Sequence, residues 1–245
     1  MGKRSYYHVQ SVDRALALLL TLAGKDSTMT LPELSKSLGL SKSTTYRLIC
    51  TLEQKRFLES DPSGRGYRLG SELIHLGHRA HRAIRLPEIA RPHLQRLSDR
   101  FGESTGLTVP HGDQVLYLAH IETERIVNTR VAIGSQLPAY CTSTGKVFLA
   151  KMPPEQARRV LAQTPLEPRG PKTITDIERL MRELARVREQ GYAINDEELE
   201  RGDRAIAAAV RSSTGEVIAA INLSAPATRV SMETLTGPMC VALLE

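Results

Sequence analysis

Two groups of side chains in this 245-residue sequence have the types and spacing that recognition chemistry needs. The first is Lys42, Ser43, Thr44, Tyr46 and Arg47. If Thr45, Leu48, Ile49 and Leu52 face inward on a helix, Lys42, Ser43, Tyr46 and Arg47 face outward at its N-terminal end. Arg presents a fork that pairs bidentately with guanine, while Lys and hydroxyls seat phosphates. A helix N-terminus itself favours an anion. The second group is Thr142-Ser143-Thr144-Gly145. Hydroxyls and a glycine at a helix start leave backbone N–H groups and the positive dipole end for a carboxylate. Ser143 and Thr144 add hydroxyl donors, and Gly145 permits close approach to the backbone. An ordinary N-cap uses the same residues without any ligand, and that alternative stays open on the residues alone.

The elements that must position these groups follow from periodicity and punctuation. Ser11–Ala23 predicts a helix with Val12, Leu16, Leu19, Leu20 and Ala23 on its apolar face. Thr30-Leu31-Pro32-Glu33 fits a capping box that opens a short helix ending at Gly39. Ser41 caps a third helix to about Lys55. Helix, glycine turn, helix is the helix-turn-helix pattern. Phe57–Glu59 and Tyr67–Leu69, around Asp61-Pro62-Ser63-Gly64, predict a hairpin whose Arg65 and Arg68 suit a wing against DNA. A helix over Ser71–Arg85, with Leu73, Ile74, Gly77 and Ile84 on its less polar side, and another from Pro87 to Phe101 separate this region from the rest. Beyond Gly102, strands are predicted at Thr105–Val109, Val115–Ile121, Ile126–Val131, Tyr192–Asn195, Ala205–Arg211 and Val217–Ser224. Helices are predicted at Thr142–Ala150, Pro154–Ala162 and Thr175–Gln190. Ser231 caps a last helix broken at Gly237-Pro238. The class is α+β.

Composition narrows the partners. Residues 1–85 hold 14 Lys/Arg against 7 Asp/Glu, whereas residues 86–245 hold 19 against 20. The whole basic excess therefore sits in the first third, which points to a nucleic-acid partner there, against the blander reading of a merely basic domain. No run approaches the ~20 apolar residues of a membrane span. Three widely spaced cysteines exclude a disulfide framework and fit a reducing cytoplasm.

The ordered motifs resemble those of the IclR family of bacterial transcription regulators. The resemblance is carried by Val9–Leu16, Gly39–Leu48, Tyr67–Gly70, Thr142–Ala150, Gly191–Ala193 with Glu198 and Gly202, and Ile221–Pro226. It implies a winged helix-turn-helix domain (1–70), a linker helix (71–86) and a GAF-like mixed α/β effector-binding and oligomerisation domain (87–245). The implied partners are double-stranded operator DNA, a small organic acid effector, and further copies of the chain as dimer or tetramer. The DNA-binding set is Lys42, Ser43, Thr44, Tyr46, Arg47, Arg65 and Arg68. The implied effector set is Tyr140, Ser143, Thr144, Gly145, Asn195, Asp203, Ala205, Asn222 and Ser224. Leu137–Ser143 is similar to the subset that controls aromatic-acid catabolism. Two positions depart from common family usage: Ala205 where Cys is frequent, and Asp203 where an apolar residue is frequent. A buried Asp is costly unless paired, so Asp203 is expected to face solvent or pair with Arg204 or Arg201.

Other candidates carry less. His75 and His78 can share a helix face, but His75 and His81 diverge by roughly 120° and no carboxylate or thiol sits within the run. Gly64, Gly66 and Gly70 follow a turn rather than a buried strand, so a hairpin outweighs a dinucleotide loop. Cys141, before a helix start, could have a lowered thiol pKa, against the blander reading of a small half-buried residue. Asp196-Glu197-Glu198 reads as a solvated turn, with Glu198 at a position to which the resemblance gives a structural use. No cofactor motif emerges. An enzyme would need a base or metal near the Ser/Thr cluster, and none is in sequence reach. The function expected is a ligand-responsive DNA-binding regulator. A regulator whose second domain serves only assembly is the alternative, and a small-molecule enzyme a distant one.

Overall fold

A computed structural model describes residues 8–25, 27–62, 64–125 and 131–245. The chain divides into two compact units, Met1–Ile84 and Arg85–Glu245.

The first unit begins with α1 (Gln10–Ala23), α2 (Leu31–Leu38) and α3 (Lys42–Gln54). Their start and stop signals are local. The Thr30 hydroxyl accepts from the Glu33 N–H while the Glu33 carboxylate accepts from the Thr30 N–H, which satisfies two helix-end donors reciprocally. Gly39 ends α2 at φ +63°, a left-handed conformation that glycine adopts without steric cost. The Ser41 hydroxyl then caps α3 through the Thr44 N–H. Leu18, Leu22, Leu34, Ile49 and Leu58 form the core. The wing pairs β1 (Leu58–Ser60) antiparallel with β2 (Tyr67–Leu69), and Met29 bridges to Tyr67 on the far side. The expected face of α1 is corrected. Leu18 and Leu22 are buried, whereas Val12, Leu16 and Leu20 are 54%, 55% and 72% exposed. α1 is apolar around most of its circumference, so periodicity alone does not select the buried side. α4 (Ser71–Ile84) likewise leaves Ile74, Leu76 and Ile84 exposed.

The second unit starts with α5 (Leu86–Phe101), whose preceding residue Arg85 takes the left-handed φ of 53°. A six-stranded sheet follows, with β3 (Ser104–His111), β4 (Gln114–Ile121), β5 (Gln136–Pro138), β6 (Tyr192–Asp196), β7 (Asp203–Arg211) and β8 (Val217–Pro226). Its order is β5-β4-β3-β8-β7-β6, with every neighbour antiparallel. Helices α6 (Ser143–Lys151), α7 (Pro154–Gln163) and α8 (Ile177–Gln190) complete one core with Val115, Tyr117, Ala193, Ala207 and Ala220 from the sheet. Residues of α5 and of the C-terminal helical segment pack with alternate sheet residues such as Leu107, Ile206 and Leu223 in two further clusters. Strand alternation thus sends Ala207 and Ala220 to one cluster, and Ile206 and Leu223 to another.

β5 and the single 3-10 turn Ala139–Cys141 that follows it were not expected from the sequence, being too short to show a period. The expected strand Ile126–Val131 lies outside the described residues except for Val131, which is in no strand. The last helix is divided, with Met232–Thr234 and Cys240–Leu244 joined across Gly237-Pro238.

Candidate nucleic-acid interface and effector site

On α3 the inward and outward faces separate as the spacing requires. Thr45 and Ile49 are fully buried, and Leu48 and Leu52 half-buried. Lys42, Ser43, Tyr46 and Arg47 are exposed, Tyr46 by 53%. Thr44 differs from its neighbours: it is half-buried, and its hydroxyl lies 2.9 Å from that of Ser41, inside the cap. A hydrogen bond with Cys50, one turn along α3, raises the Tyr46 phenol pKa. On the wing, Arg65 is exposed, and Arg68 is 3.1 Å from Glu59 on the opposite strand. Glu59 also accepts from the Ser71 N–H at the start of α4, and these contacts hold its carboxyl below the usual range.

In the second unit, the 3-10 turn and Thr142 deliver the chain into α6. The Thr142 hydroxyl accepts from the Gly145 N–H at 3.2 Å, as an N-cap should. The amides of Ser143 and Thr144 belong to the first turn, which intrahelical bonds do not reach. Ser143 and Thr144 are buried, and the Thr144 hydroxyl has no hydrogen-bond partner among the described residues. The expected role of Gly145 is corrected. A Cβ there would stand 2.3 Å from the Ala139 Cα and carbonyl oxygen, so the close approach is made by the chain's own 3-10 turn, not left open for a ligand. Tyr140 is buried, with its hydroxyl donating to the Glu167 carbonyl at 2.7 Å.

The register gathers the remaining expected residues. Asn195 lies opposite Ala205, and Ala205 opposite Ser224. Asn222 is two residues from Ser224 on β8, hence on the same face, and its amide donates to the Ser224 hydroxyl at 2.6 Å. The Asn222 carbonyl oxygen has no partner among the described residues. Asp203 does not face open solvent, and Arg204 is taken by another carboxylate. Asp203 is half-buried and accepts from the Asn195 side-chain amide at 2.7 Å, while Arg204, on the other strand face, pairs with Asp196 at 2.6 Å. Tyr117 on β4 is buried, and burial, with a smaller contribution from the Asp203 charge, pushes its phenol pKa well above the usual range.

Two further expectations are corrected. Glu198 is not part of a solvated turn; it is buried, 2.6 Å from Nζ of Lys146, itself 1% exposed, with Glu183 at 3.8 Å. Burial raises the Glu198 pKa, and Lys146 opposes that rise. Asp196 and Glu197 both reach Lys172. Lys146 was missed because lysine reads as surface; the signal available was the apolar run Val147–Ala150 that follows it directly. Cys141 has a thiol pKa pushed up by burial to about 11, the reverse of an activated thiol. Among the described residues no group of three His, Cys, Asp or Glu is arranged to hold a metal, and no helix is long and apolar enough to cross a membrane.

A winged helix-turn-helix with an exposed basic helix start, followed by an α/β unit with a polar-lined sheet face, defines a DNA-binding regulator with an effector-binding domain. Comparison with known proteins makes the class specific. Residues 11–62 match the IclR helix-turn-helix domain, and residues 78–244 the bacterial transcriptional regulator IclR C-terminal domain, so this chain belongs to the IclR family of transcription regulators. It is 33% identical over 226 residues to the Pca regulon regulatory protein of Pseudomonas putida, covering 92% of this chain and 77% of that one. It is 35% identical over 222 residues to the HTH-type transcriptional regulator XynR of Escherichia coli, covering 91% and 88%. An IclR homologue from Microbacterium hydrocarbonoxydans, solved with 4-hydroxybenzoate, superposes with a TM-score of 0.78 at 30% identity over 96% of this chain and 98% of that one. The chain is a transcription regulator of this family.

Proposed function

We propose that this regulator controls a catabolic operon in response to a small organic acid, most simply an aromatic one. The observation that carries the reading is the start of α6, where Ser143, the unpaired Thr144 hydroxyl and first-turn amides lie together in a buried setting. A ligand carboxylate satisfies them. Asn195, Asp203, Asn222 and Ser224 supply polar groups for its other end, with Ala205 leaving room between strands. The 4-hydroxybenzoate complex of the Microbacterium homologue supports an aromatic acid as the first compound to test. We further propose that Lys42, Ser43, Thr44, Tyr46 and Arg47 meet the major groove, with Arg65 and Arg68 on the backbone or minor groove. One recognition helix reads too few base pairs to find a genomic site, so two copies act together on a two-part operator. The exposed Val12, Leu16 and Leu20 of α1 and Ile74 of α4 offer apolar surface for that pairing.

The test is calorimetry of 4-hydroxybenzoate binding with and without operator DNA, on the parent and on Ser143→Val. Coupling of about 1–3 kcal/mol changes operator affinity roughly 5- to 150-fold, and reciprocity requires the same factor in effector affinity. Equal affinity in both settings excludes control by that compound. An unaffected Ser143→Val removes the carboxylate from the α6 start.

A further inference from the structure

We propose a second small-molecule site in the larger unit: a cleft of about 450 Å³ at the C-terminal end of α6 that binds an organic carboxylate with an apolar body. Its walls come from three places in the chain. Phe148 and Met152 stand at the end of α6, Val217 opens β8, and Pro110 and Pro153 complete the apolar lining. Phe148 is 6% exposed and belongs to the core, so the floor is fixed by packing. Lys151, Arg211, Glu216 and the Gln156 amide are the polar side chains that line it. An apolar concavity with a few convergent polar groups is the ordinary form of a small-molecule site.

The sign of the ligand follows from the charges. Lys151 is half-buried, and its ammonium pKa is lowered by burial first and then by the neighbouring Arg211 and Arg188. Arg188 donates through Nε to the Ala150 carbonyl at 2.9 Å, which answers the negative end of the α6 dipole. Arg211 donates to the Gly215 carbonyl at 2.9 Å. Glu216 also lines the cleft, but neither it nor any other described carboxylate forms an ion pair with Lys151, Arg188 or Arg211. Lys151 and Arg211 line the cleft with the single carboxylate of Glu216, and Arg188 adds its charge from outside; the net positive charge repels itself, and a bound anion relieves that repulsion. The apolar floor then selects an anion with a hydrocarbon body over an inorganic one. This site lies at the opposite end of α6 from Ser143, so one helix joins the two.

The experiment follows the Met152 methyl resonance in the full chain labelled at methionine methyls, assigned by Met152→Leu, during titration with benzoate. A saturable shift is expected with benzoate, none with the neutral isostere benzamide, and at least about tenfold weaker binding in Lys151→Gln. Ser143→Val keeps the Met152 response, because the two sites are separate. A Met152 resonance unmoved by millimolar benzoate overturns the proposal. So does an equal response to benzamide or to phosphate, a Lys151→Gln variant that binds as the parent does, or loss of the response in Ser143→Val.

Discussion

Lys146→Met removes one partner of a buried ion pair while keeping most of the side-chain length. Lys146 is 1% exposed and Glu198 8% at the side chain, with 2.6 Å between Nζ and Oε1. The second Glu198 oxygen already has no hydrogen-bond partner among the described residues. Without the ammonium the carboxylate stays buried and uncompensated, a change that costs roughly 3–5 kcal/mol. For a unit of this size that lowers the melting temperature by roughly 10 °C. The loss has a pH signature. Glu198 has a folded pKa above its unfolded value, so its burial is a penalty above the unfolded pKa that disappears as pH falls and the carboxyl protonates. Removing Lys146 raises that folded pKa further, and the deficit of the variant shrinks as the solution is acidified. Lys146→Met/Glu198→Leu replaces both charges with apolar groups and recovers most of the loss, since the pair itself contributes little net stability. Calorimetric melting of the parent, Lys146→Met, Glu198→Leu and the double variant across pH closes the cycle. A Lys146→Met variant that melts with the parent at neutral pH, or a double variant worse than the single one, refutes the reasoning.

DNA affinity should fall steeply with salt, because Lys42, Arg47, Arg65 and Arg68 displace condensed counterions; fluorescence anisotropy across a salt series measures the slope. Arg47→Ala should relax base preference by about 1–3 kcal/mol, whereas Arg65→Ala should weaken all sequences alike. In light scattering, Leu16→Glu/Leu20→Glu should dissociate an assembly built on α1, since both side chains are already more than half exposed and the monomer loses no packing. The first unit should lose stability as pH falls through the carboxylate range. Backbone hydrogen bonds to Thr30 and Ser71 hold Glu33 and Glu59 below their ordinary pKa, so their contribution is present above the unfolded pKa and lost below it. Glu33→Gln and Glu59→Gln should flatten that acid limb in a thermal-melt series.

Local signals carried the first unit far. The Thr30–Glu33 box, Gly39 and the Ser41 cap are set by neighbours three or four residues apart, and the spacing of Thr45, Leu48, Ile49 and Leu52 turns Lys42, Tyr46 and Arg47 outward on α3. The Thr142 cap was legible for the same reason, as was the shared face of Asn222 and Ser224, which strand alternation dictates; their hydrogen bond to each other was not. Four things only the tertiary structure decided. The buried side of α1 depends on where α2 and α3 press, because Leu16 and Leu18 are equally apolar. Gly145 is glycine because the Ala139 backbone crosses it, a contact that spacing does not reveal. Asp203 found Asn195 across a strand pair rather than the arginine beside it, since adjacent strand residues point to opposite faces. Lys146 and Glu198, 52 positions apart, meet in a core where each is tolerable only with the other. Capping and alternation act through the nearest few residues, so sequence records them; ion pairing and backbone contact act through space, and the chain must fold before the partners exist.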